Sequence, residues 1–548
     1  MNNAAHKVVE TGPRKSLAWS LPYLMAVWCC LAVFQGGPEH IPPIPVLFKT
    51  IGSVLACIAA IHVGMLLLVK PPAREIILFA LVSLVGLYGS IGVPLAGIIG
   101  WPVFTLIWLA IHGAIIALAW RFSNHAKTPA LTSVVMFGIG LSLCFQIFNV
   151  GIPVLNDMGQ VDELISSLEA DESAVEQAKE YATRPDIYYI IVDAYARADV
   201  LDEFYNFNNY AFINSLRERG FYIADRSCAN YHLTELSVAS SLNMTHLPGL
   251  DLGRFNTRIP IRQMIADNAV VRQLSQRGYQ TIGLESGKCD TQCEQFDRYI
   301  PVGQALNGYQ DVLYHSTMLP DLLQLSGLPL RSAGRRHGDR TIETLDLIPT
   351  VVGDDSKPTF VFSHLLAPHP PFVHNAEGDA VDFHGQYLLA DAVNFTVRYD
   401  FDLDVYRNAY RDQVAFINTK LIEMVDRIQQ SHRQSLIIIQ ADHGPRLGFG
   451  SKPNPILKEE ENNARHHEAY AILNAIRVPD GLQPEFYSEM TPVNTFRLIF
   501  NELFGTQFQL EPDYSYFEEH YVFENVTDKT SAQSLRNAVT KTNLTNER

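Results

Sequence analysis

Five long apolar blocks occupy the first 150 residues of this 548-residue chain. Each block approaches the ~20 residues that an α-helix needs to cross ~30 Å of hydrocarbon. They contain no Asp, Glu, Arg or Lys apart from Lys49, near one end of its block. A cleaved signal peptide would explain one block and not five. The sequence therefore predicts a five-helix transmembrane domain over residues 1–150, with spans at Ser16–Phe34, Leu47–Val69, Ile76–Ile98, Trp101–Trp120 and Leu131–Val150.

The basic residues near these blocks predict an orientation. Lys and Arg precede the first block and recur between the second and third and between the fourth and fifth, whereas the other two connections have none. Connections rich in Lys and Arg stay in the cytoplasm. Five crossings then place everything after Gly151 outside. We expect a multi-pass protein of the inner (cell) membrane, with its large second domain on the periplasmic or extracellular side.

The second domain is strongly acidic. The first 150 residues carry a net charge of +5 and the whole chain −16, which leaves −21 on the remainder. Such a charge repels nucleic acid phosphates and is compatible with divalent cations. We therefore expect no nucleic acid partner.

Three cysteines lie outside the apolar blocks. The spacing of Cys289 and Cys293 suits a local disulfide in an oxidising compartment. A metal site is the alternative, although no second cysteine pair accompanies this one. Cys228 is left without a partner in this scheme.

The outer part of the chain divides into three stretches. Residues 151–185 are polar and predict a linker helix along the membrane surface, residues 186–525 alternate strand-like with helix-like patterns, and residues 526–548 form a polar tail. Glycine follows a helical pattern and precedes a strand at Gly220 and Gly278. We predict an α/β fold, an α/β/α sandwich with a mostly parallel mixed sheet. Its strands are expected at Tyr188–Val192, Phe221–Ala224, Tyr279–Leu284, Thr359–Ser363, Ser435–Gln440 and Ala469–Ile476.

Polar side chains that suit catalysis follow three of these strands. Asp193 ends the first, Asp442 and His443 follow Ser435–Gln440, and His364 and His369 follow Thr359–Ser363. Taken singly, an Asp there is more often a turn former and a His more often a structural residue. Because ligands of open α/β sheets gather at the carboxyl ends of strands, their convergence predicts a functional site.

Thr234 begins a segment of small residues that suits a helix, Thr234-Glu235-Leu236-Ser237-Val238-Ala239-Ser240. A threonine at a helix N-terminus can simply cap the helix. The same position places its hydroxyl beside free amides that attract a phosphate. A metal held by Asp193, Asp442 and His443 would also bind the Thr234 oxygen and lower the pKa of its hydroxyl.

With these residues in place, residues 186–505 resemble the sulfatase-type branch of the alkaline phosphatase superfamily. Together with the five apolar blocks, the chain resembles lipoteichoic acid synthases and lipid A phosphoethanolamine transferases. Asp442-His443-Gly444 matches the family's metal pair, Asp193 its strand-end carboxylate, and Thr234 its nucleophile. The resemblance implies a metal site of Asp193, Thr234, Asp442 and His443. It would hold a divalent ion, Zn²⁺ or Mn²⁺ by its O and N donors, with Mg²⁺ or Ca²⁺ also compatible.

The resemblance also implies further active-site residues. His369 in His-Pro-Pro-Phe matches a substrate-binding His, and His467 or its neighbour His466 matches a late active-site His. We therefore assign Thr234, His369 and His467 to catalysis. Further candidates are Glu285, Ser286 and Arg446.

Departures from the sulfatase pattern favour a transferase. Sulfatases carry Cys or Ser followed by x-Pro-x-Arg, and the Pro and Arg direct oxidation of the nucleophile. Here Leu236 and Val238 replace them, and Thr234 cannot supply the aldehyde. Ala194 stands where sulfatases have a second Asp.

The resemblance therefore implies a metal-dependent transferase that moves a phospho-group from a phosphodiester through a threonine nucleophile. A membrane phospholipid headgroup would be the donor and a glycan or lipid the acceptor. The alternatives are a hydrolase of phosphate diesters or sulfate esters with the same fold, and a non-catalytic sensor or scaffold.

Overall fold

The protein is described by a computed structural model with two compact units. The first comprises Met1–Pro153 and Val312–Leu330, and the second Val154–Asp311 and Arg331–Arg548. The described residues are 17–32, 42, 44–66, 68–69, 73–122, 128–173, 184–287, 291, 296–303, 306, 308–326, 333–353, 357–381, 403–431, 433–447 and 459–530. Cys289 and Cys293 lie outside them, as does most of the predicted tail.

Three helices of the described residues are long and apolar enough to cross a membrane: Ile44–Met65, Trp101–Leu118 and Phe137–Leu168. The prediction of five such helices is wrong for this part of the chain. The first apolar block forms a helix of 12 residues, and the third forms two shorter ones. The helices are α1 Leu21–Ala32, α2 Ile44–Met65, α3 Ala73–Gly86, α4 Tyr88–Ile99, α5 Trp101–Phe122 and α6 Thr128–Gln146.

The break between α3 and α4 has a physical cause. In a continuous helix the Gly89 amide would donate to the Val85 carbonyl. Instead it donates to the Ser316 carbonyl at 2.8 Å, and the Val85 carbonyl accepts from the Met318 amide at 3.0 Å. Insertion of another group into the helical ladder is a recognised cause of kinks. A uniform apolar pattern cannot reveal this break, because the inserted residues are more than 220 positions away in the sequence.

The last apolar helix does not end at the predicted domain boundary. It continues through a π-helical turn at Ile147–Gly151 into α7, Ile152–Ser173. Leu164 and Leu168 of α7 are buried in one hydrophobic core with Tyr189 and Leu236. The predicted linker helix is therefore part of the second unit's core.

A seven-stranded sheet forms the centre of the second unit, in the order β2-β7-β6-β1-β5-β3-β4. β7 runs antiparallel to both of its neighbours, β2 and β6, and the other pairs of the sheet are parallel. The predicted mixed, mostly parallel sheet is confirmed. The strands are β1 Asp186–Val192, β2 Tyr222–Ile223, β3 Gln280–Leu284, β4 Arg298–Ile300, β5 Thr359–Leu365, β6 Ser435–Gln440 and β7 Asn474–Arg477.

Helices cover both faces of this sheet, which is why its central strands are continuously apolar. Alternate residues of β1 enter two different cores, Tyr188 and Ile190 in one, Ile187 and Tyr189 in the other. The remaining helices are α8 Ala198–Tyr205, α9 Tyr210–Glu218, α10 Thr234–Asn243, α11 Ile259–Ala266, α12 Ala269–Gln276, α13 Gly308–His315, α14 Leu319–Leu325, α15 Ala333–Leu347, α16 Leu403–Gln429, α17 Glu459–Tyr470 and α18 Pro492–Phe504.

A hairpin of β8 (Tyr516–Glu519) and β9 (Val522–Asn525), which the sequence pattern did not predict, packs beside the start of α10. The Tyr516 amide donates to the Asn230 carbonyl at 2.8 Å. The rings of Phe517 and His232 stack with centroids 4.8 Å apart. The hairpin thus holds the segment that leads to Thr234.

Candidate active site

Two buried aspartates meet at the carboxyl edge of the sheet, because β1 pairs directly with β6. Asp193 follows β1 and Asp442 follows β6, and both are buried. The Asp442 Oδ1 atom accepts from the amides of Ala194 at 3.2 Å and His443 at 3.0 Å. Its Oδ2 atom is buried and has no hydrogen-bond partner among the described residues. A buried carboxylate oxygen without a donor is costly, unless a cation or another ligand satisfies it.

His443 presents one ring nitrogen to these carboxylates. Its Nδ1 lies 2.7 Å from the Gly444 carbonyl, which fixes a proton on Nδ1. The other nitrogen, Nε2, lies 3.6 Å from Asp193 Oδ1 and 3.5 Å from Asp442 Oδ2. With the proton on Nδ1, the lone pair of Nε2 faces both oxygens.

Thr234 completes the group. It is the first residue of α10 and is buried, and its Oγ1 lies 3.3 Å from His443 Nε2. The first turn of α10 is fixed to the end of β6 because the Ser237 hydroxyl donates to the Asp442 carbonyl at 2.7 Å. This contact explains why a hydroxyl side chain stands three residues after Thr234.

The distances from His443 Nε2 to the three oxygens match those between ligands of a single cation. Tetrahedral Zn²⁺ with N and O bonds of about 2.0–2.1 Å places its ligand atoms about 3.3–3.4 Å apart. His443 Nε2 lies 3.3, 3.5 and 3.6 Å from the oxygens of Thr234, Asp442 and Asp193. Asp193, Asp442 and His443 offer ligand atoms within 4.8 Å of one another. These residues could therefore hold a metal ion.

A series of hydrogen-bonded side chains supports Asp193 at Oδ2, the carboxylate oxygen that is not paired with His443. His364 Nε2 lies 3.2 Å from Asp193 Oδ2, and His364 Nδ1 lies 2.8 Å from the Thr291 hydroxyl. Thr291 in turn contacts the Ser286 hydroxyl at 3.1 Å. Nothing in the sequence pattern indicated Thr291, because its partner is 73 residues away. Ser286, a candidate from the sequence, lies at the end of this series.

His369 lies beside His443, with ring centroids 6.4 Å apart. Its backbone amide donates to the Asp193 carbonyl at 3.1 Å, which ties its loop to the end of β1. Nearby, His337 Nε2 donates to the Leu366 carbonyl at 3.1 Å. Burial, reinforced by the Arg340 charge, lowers the pKa of His337 to about 3. His337 is therefore neutral at physiological pH and supports this loop without adding charge.

His467 lies in a different cluster. Its Nδ1 lies 2.7 Å from the Thr530 carbonyl, and its Nε2 lies 3.3 Å from Asp199 and 3.2 Å from Arg197. These contacts account for its buried ring without a substrate. Its catalytic role stays a prediction. Of the other candidates, Arg446 is buried with a φ of 58°, and the ring of His466 stacks on Tyr470 with centroids 6.3 Å apart.

Gly444 is required by close packing. A Cβ on Gly444 would lie 1.9 Å from the Glu468 carbonyl oxygen, a backbone atom that cannot move aside cheaply. We expect Gly444→Ala to lower the free energy of unfolding by about 1–3 kcal/mol and to weaken metal binding by displacing His443. Thermal unfolding followed by circular dichroism, with zinc titration, measures both effects. Gly253→Ala is the matched control, since no heavy atom lies within 4 Å of its added Cβ. Equal stability of the two variants would contradict the packing argument.

Comparison with known proteins gives one family and several similar solved structures. The sequence profile of the sulfatase family matches residues 185–490. That range contains Asp193, Thr234, Asp442 and His443. No curated protein matches the chain significantly.

Among solved structures, the chain is similar to the C-terminal periplasmic domain of EcEptC from Escherichia coli in complex with Zn. The identity is 10%, the coverage is 64% of this chain and 94% of that one, and the TM-score is 0.42. It is also similar to the integral membrane protein lipooligosaccharide phosphoethanolamine transferase A from Neisseria meningitidis, at 10% identity, 88% and 94% coverage and a TM-score of 0.37.

Proposed function

This chain belongs to the sulfatase family, and from that premise we propose that it is a membrane-bound, metal-dependent enzyme that transfers a phospho-group from a phosphodiester. The proposal depends mainly on one observation. The Thr234 hydroxyl lies 3.3 Å from His443 Nε2, the nitrogen that faces the buried carboxylates of Asp193 and Asp442. A hydroxyl among metal-binding groups, at the N-terminus of a ten-residue helix, suits attack on phosphorus. We take a phospholipid as donor and a glycan or lipid as acceptor.

The proposed reaction has two displacements. The Thr234 oxygen forms a bond to phosphorus, the bond from phosphorus to the lipid alcohol breaks, and the threonine proton ends on that alcohol. An acceptor hydroxyl then attacks the phosphothreonine diester, and the Thr234 oxygen leaves and regains a proton. A divalent cation held by Asp193, Asp442 and His443 would lower the pKa of the threonine hydroxyl and neutralise phosphate charge. We assign His369, beside His443, to the phosphate oxygens or to proton transfer.

Three features favour transfer of a phospho-group over hydrolysis of a sulfate ester. The nucleophile position is Thr234, whereas a sulfatase nucleophile is oxidised to an aldehyde from Cys or Ser. Leu236 and Val238 occupy the positions of the residues that direct this oxidation. Three helices that are long and apolar enough to cross a membrane also suit a lipid donor.

The donor is tested with the full-length protein in detergent. The protein is incubated with zinc and either phosphatidylethanolamine or phosphatidylglycerol, and the peptide containing Thr234 is analysed by mass spectrometry. We expect a headgroup-phosphate adduct on Thr234 and release of diacylglycerol with one of the two lipids. If neither lipid gives an adduct or diacylglycerol, both lipids are excluded as donors.

A hydrolase of the same family is the second candidate, because the same residues would also activate a phosphodiester or sulfate ester toward water. Turnover of a chromogenic ester in the absence of any acceptor alcohol separates the two. Rapid turnover that added alcohols neither increase nor divert would favour the hydrolase.

A further inference from the structure

A segment from the middle of the sequence belongs to the first unit, together with the membrane helices. Residues 312–326, here called the return segment, lie between β4 and α15, whose residues belong to the second unit. The return segment contributes the Ser316 carbonyl and the Met318 amide to the break between α3 and α4. Met318 is only 2% exposed and packs with Tyr88, Phe104 and Trp108.

Glycine at position 89 allows the backbones of α4 and the return segment to approach each other closely. A Cβ on Gly89 would lie 2.4 Å from the Ser316 carbonyl oxygen and 2.8 Å from two further backbone atoms of that residue. No side chain fits between the two backbones. The return segment is therefore fixed against α4 by its main chain.

The helix of the return segment, α14, leaves an apolar face uncovered. Leu319, Leu322 and Leu325 are 40%, 39% and 83% exposed. Their spacing of three residues places them along one face of a helix. Asp321 is the only acidic or basic residue, histidine aside, between positions 312 and 326. An exposed apolar face of this kind marks a contact with another molecule or with a membrane.

The neighbouring helices identify what covers this face. Next to the site where Met318 packs, the outward side chains of α4 and α5 are also apolar and exposed, namely Ile98, Trp101, Val103 and Leu106. On α5, which is long and apolar enough to cross a membrane, such side chains face lipid. The leucines of α14 continue an apolar surface that a bilayer covers.

We propose that the return segment is embedded in the membrane, with Leu319, Leu322 and Leu325 in contact with the acyl chains of the leaflet on the side of the α4–α5 turn. This inference concerns lipid contact and does not depend on the proposed chemistry. The return segment would give the chain a second attachment to the bilayer, besides the apolar helix that leads into the second unit.

Photo-crosslinking in phospholipid nanodiscs tests the proposal on the full-length chain. A benzophenone amino acid replaces Leu325, and lipid adducts are detected by mass spectrometry after illumination. Leu106 of α5, 69% exposed, is the lipid-facing reference, and Leu510 of the second unit, 46% exposed, is the matched reference outside the membrane helices. We expect a lipid adduct at 325 comparable with that at 106, and none at 510. An adduct at 106 without one at 325, or crosslinks from 325 to protein alone, would overturn the proposal.

A second variant tests whether docking on α4 causes the lipid contact. Gly89→Ala places a methyl group against the Ser316 backbone, so we expect it to reduce the adduct at 325 and to leave the adduct at 106 unchanged. Circular dichroism checks that the helices persist. An unchanged yield at 325 would contradict the docking argument.

Discussion

Replacing Thr234 with alanine should abolish the enzyme's covalent intermediate and lower kcat/KM on the order of 10³-fold or more, since loss of a nucleophile removes the bond-forming step. Alanine suits the first turn of a helix, so α10 should persist. The hydroxyl donation by Ser237 to the Asp442 carbonyl still fixes that turn to β6. The variant should therefore remain folded and still bind metal through Asp193, Asp442 and His443.

Two further variants test whether the loss of activity is specific to the Thr234 hydroxyl. Thr234→Ser keeps a hydroxyl beside His443 and should retain adduct formation at a reduced rate. Thr419→Ala removes an exposed threonine of α16 whose hydroxyl donates to the Ala415 carbonyl of the same helix, and should leave turnover unchanged. Wild-type turnover by Thr234→Ala would show that another group attacks phosphorus.

The second large effect concerns Asp442. We expect Asp442→Asn to weaken zinc binding by more than about 100-fold, since even groups that only orient ligands cost 10–100-fold when lost. The amide keeps the shape of the side chain, and its oxygen can still accept from the Ala194 and His443 amides. It removes the negative charge that the buried Oδ2 atom directs toward His443. Activity should fall with metal occupancy.

Isothermal titration of the apo-protein with zinc measures this loss of affinity. Asp346→Asn is a control for the loss of one acidic charge, because Asp346 forms a surface ion pair with Arg427. The control should bind zinc as the wild type does. Equal affinity in Asp442→Asn would place the metal elsewhere.

The central sheet could be predicted from the sequence because its strands are buried on both faces. Continuous apolar runs such as Leu436–Ile439 therefore stand out, and polar residues follow them. Because ligands of open α/β sheets gather at the carboxyl ends of strands, the sequence predicts Asp193 and Asp442 at one site. The pairing of β1 with β6 brings these two ends side by side. The family resemblance then singled out Thr234.

What the sequence could not predict depends on contacts between distant residues. The break at Leu87 arises from backbone groups of Ser316 and Met318, and Thr291 reaches His364 only in the folded chain. Strand β4 has three residues, too few to give a periodic pattern. His467 illustrates a different difficulty, since the sequence alone does not indicate that its ring contacts Asp199.

The most direct test is an anomalous-scattering structure of the full-length protein with zinc. We predict one zinc peak about 2.0–2.3 Å from Thr234 Oγ1, His443 Nε2 and an oxygen each of Asp193 and Asp442. A zinc peak elsewhere, or one bound to the aspartates with the Thr234 oxygen well beyond bonding distance, would contradict the proposed nucleophile.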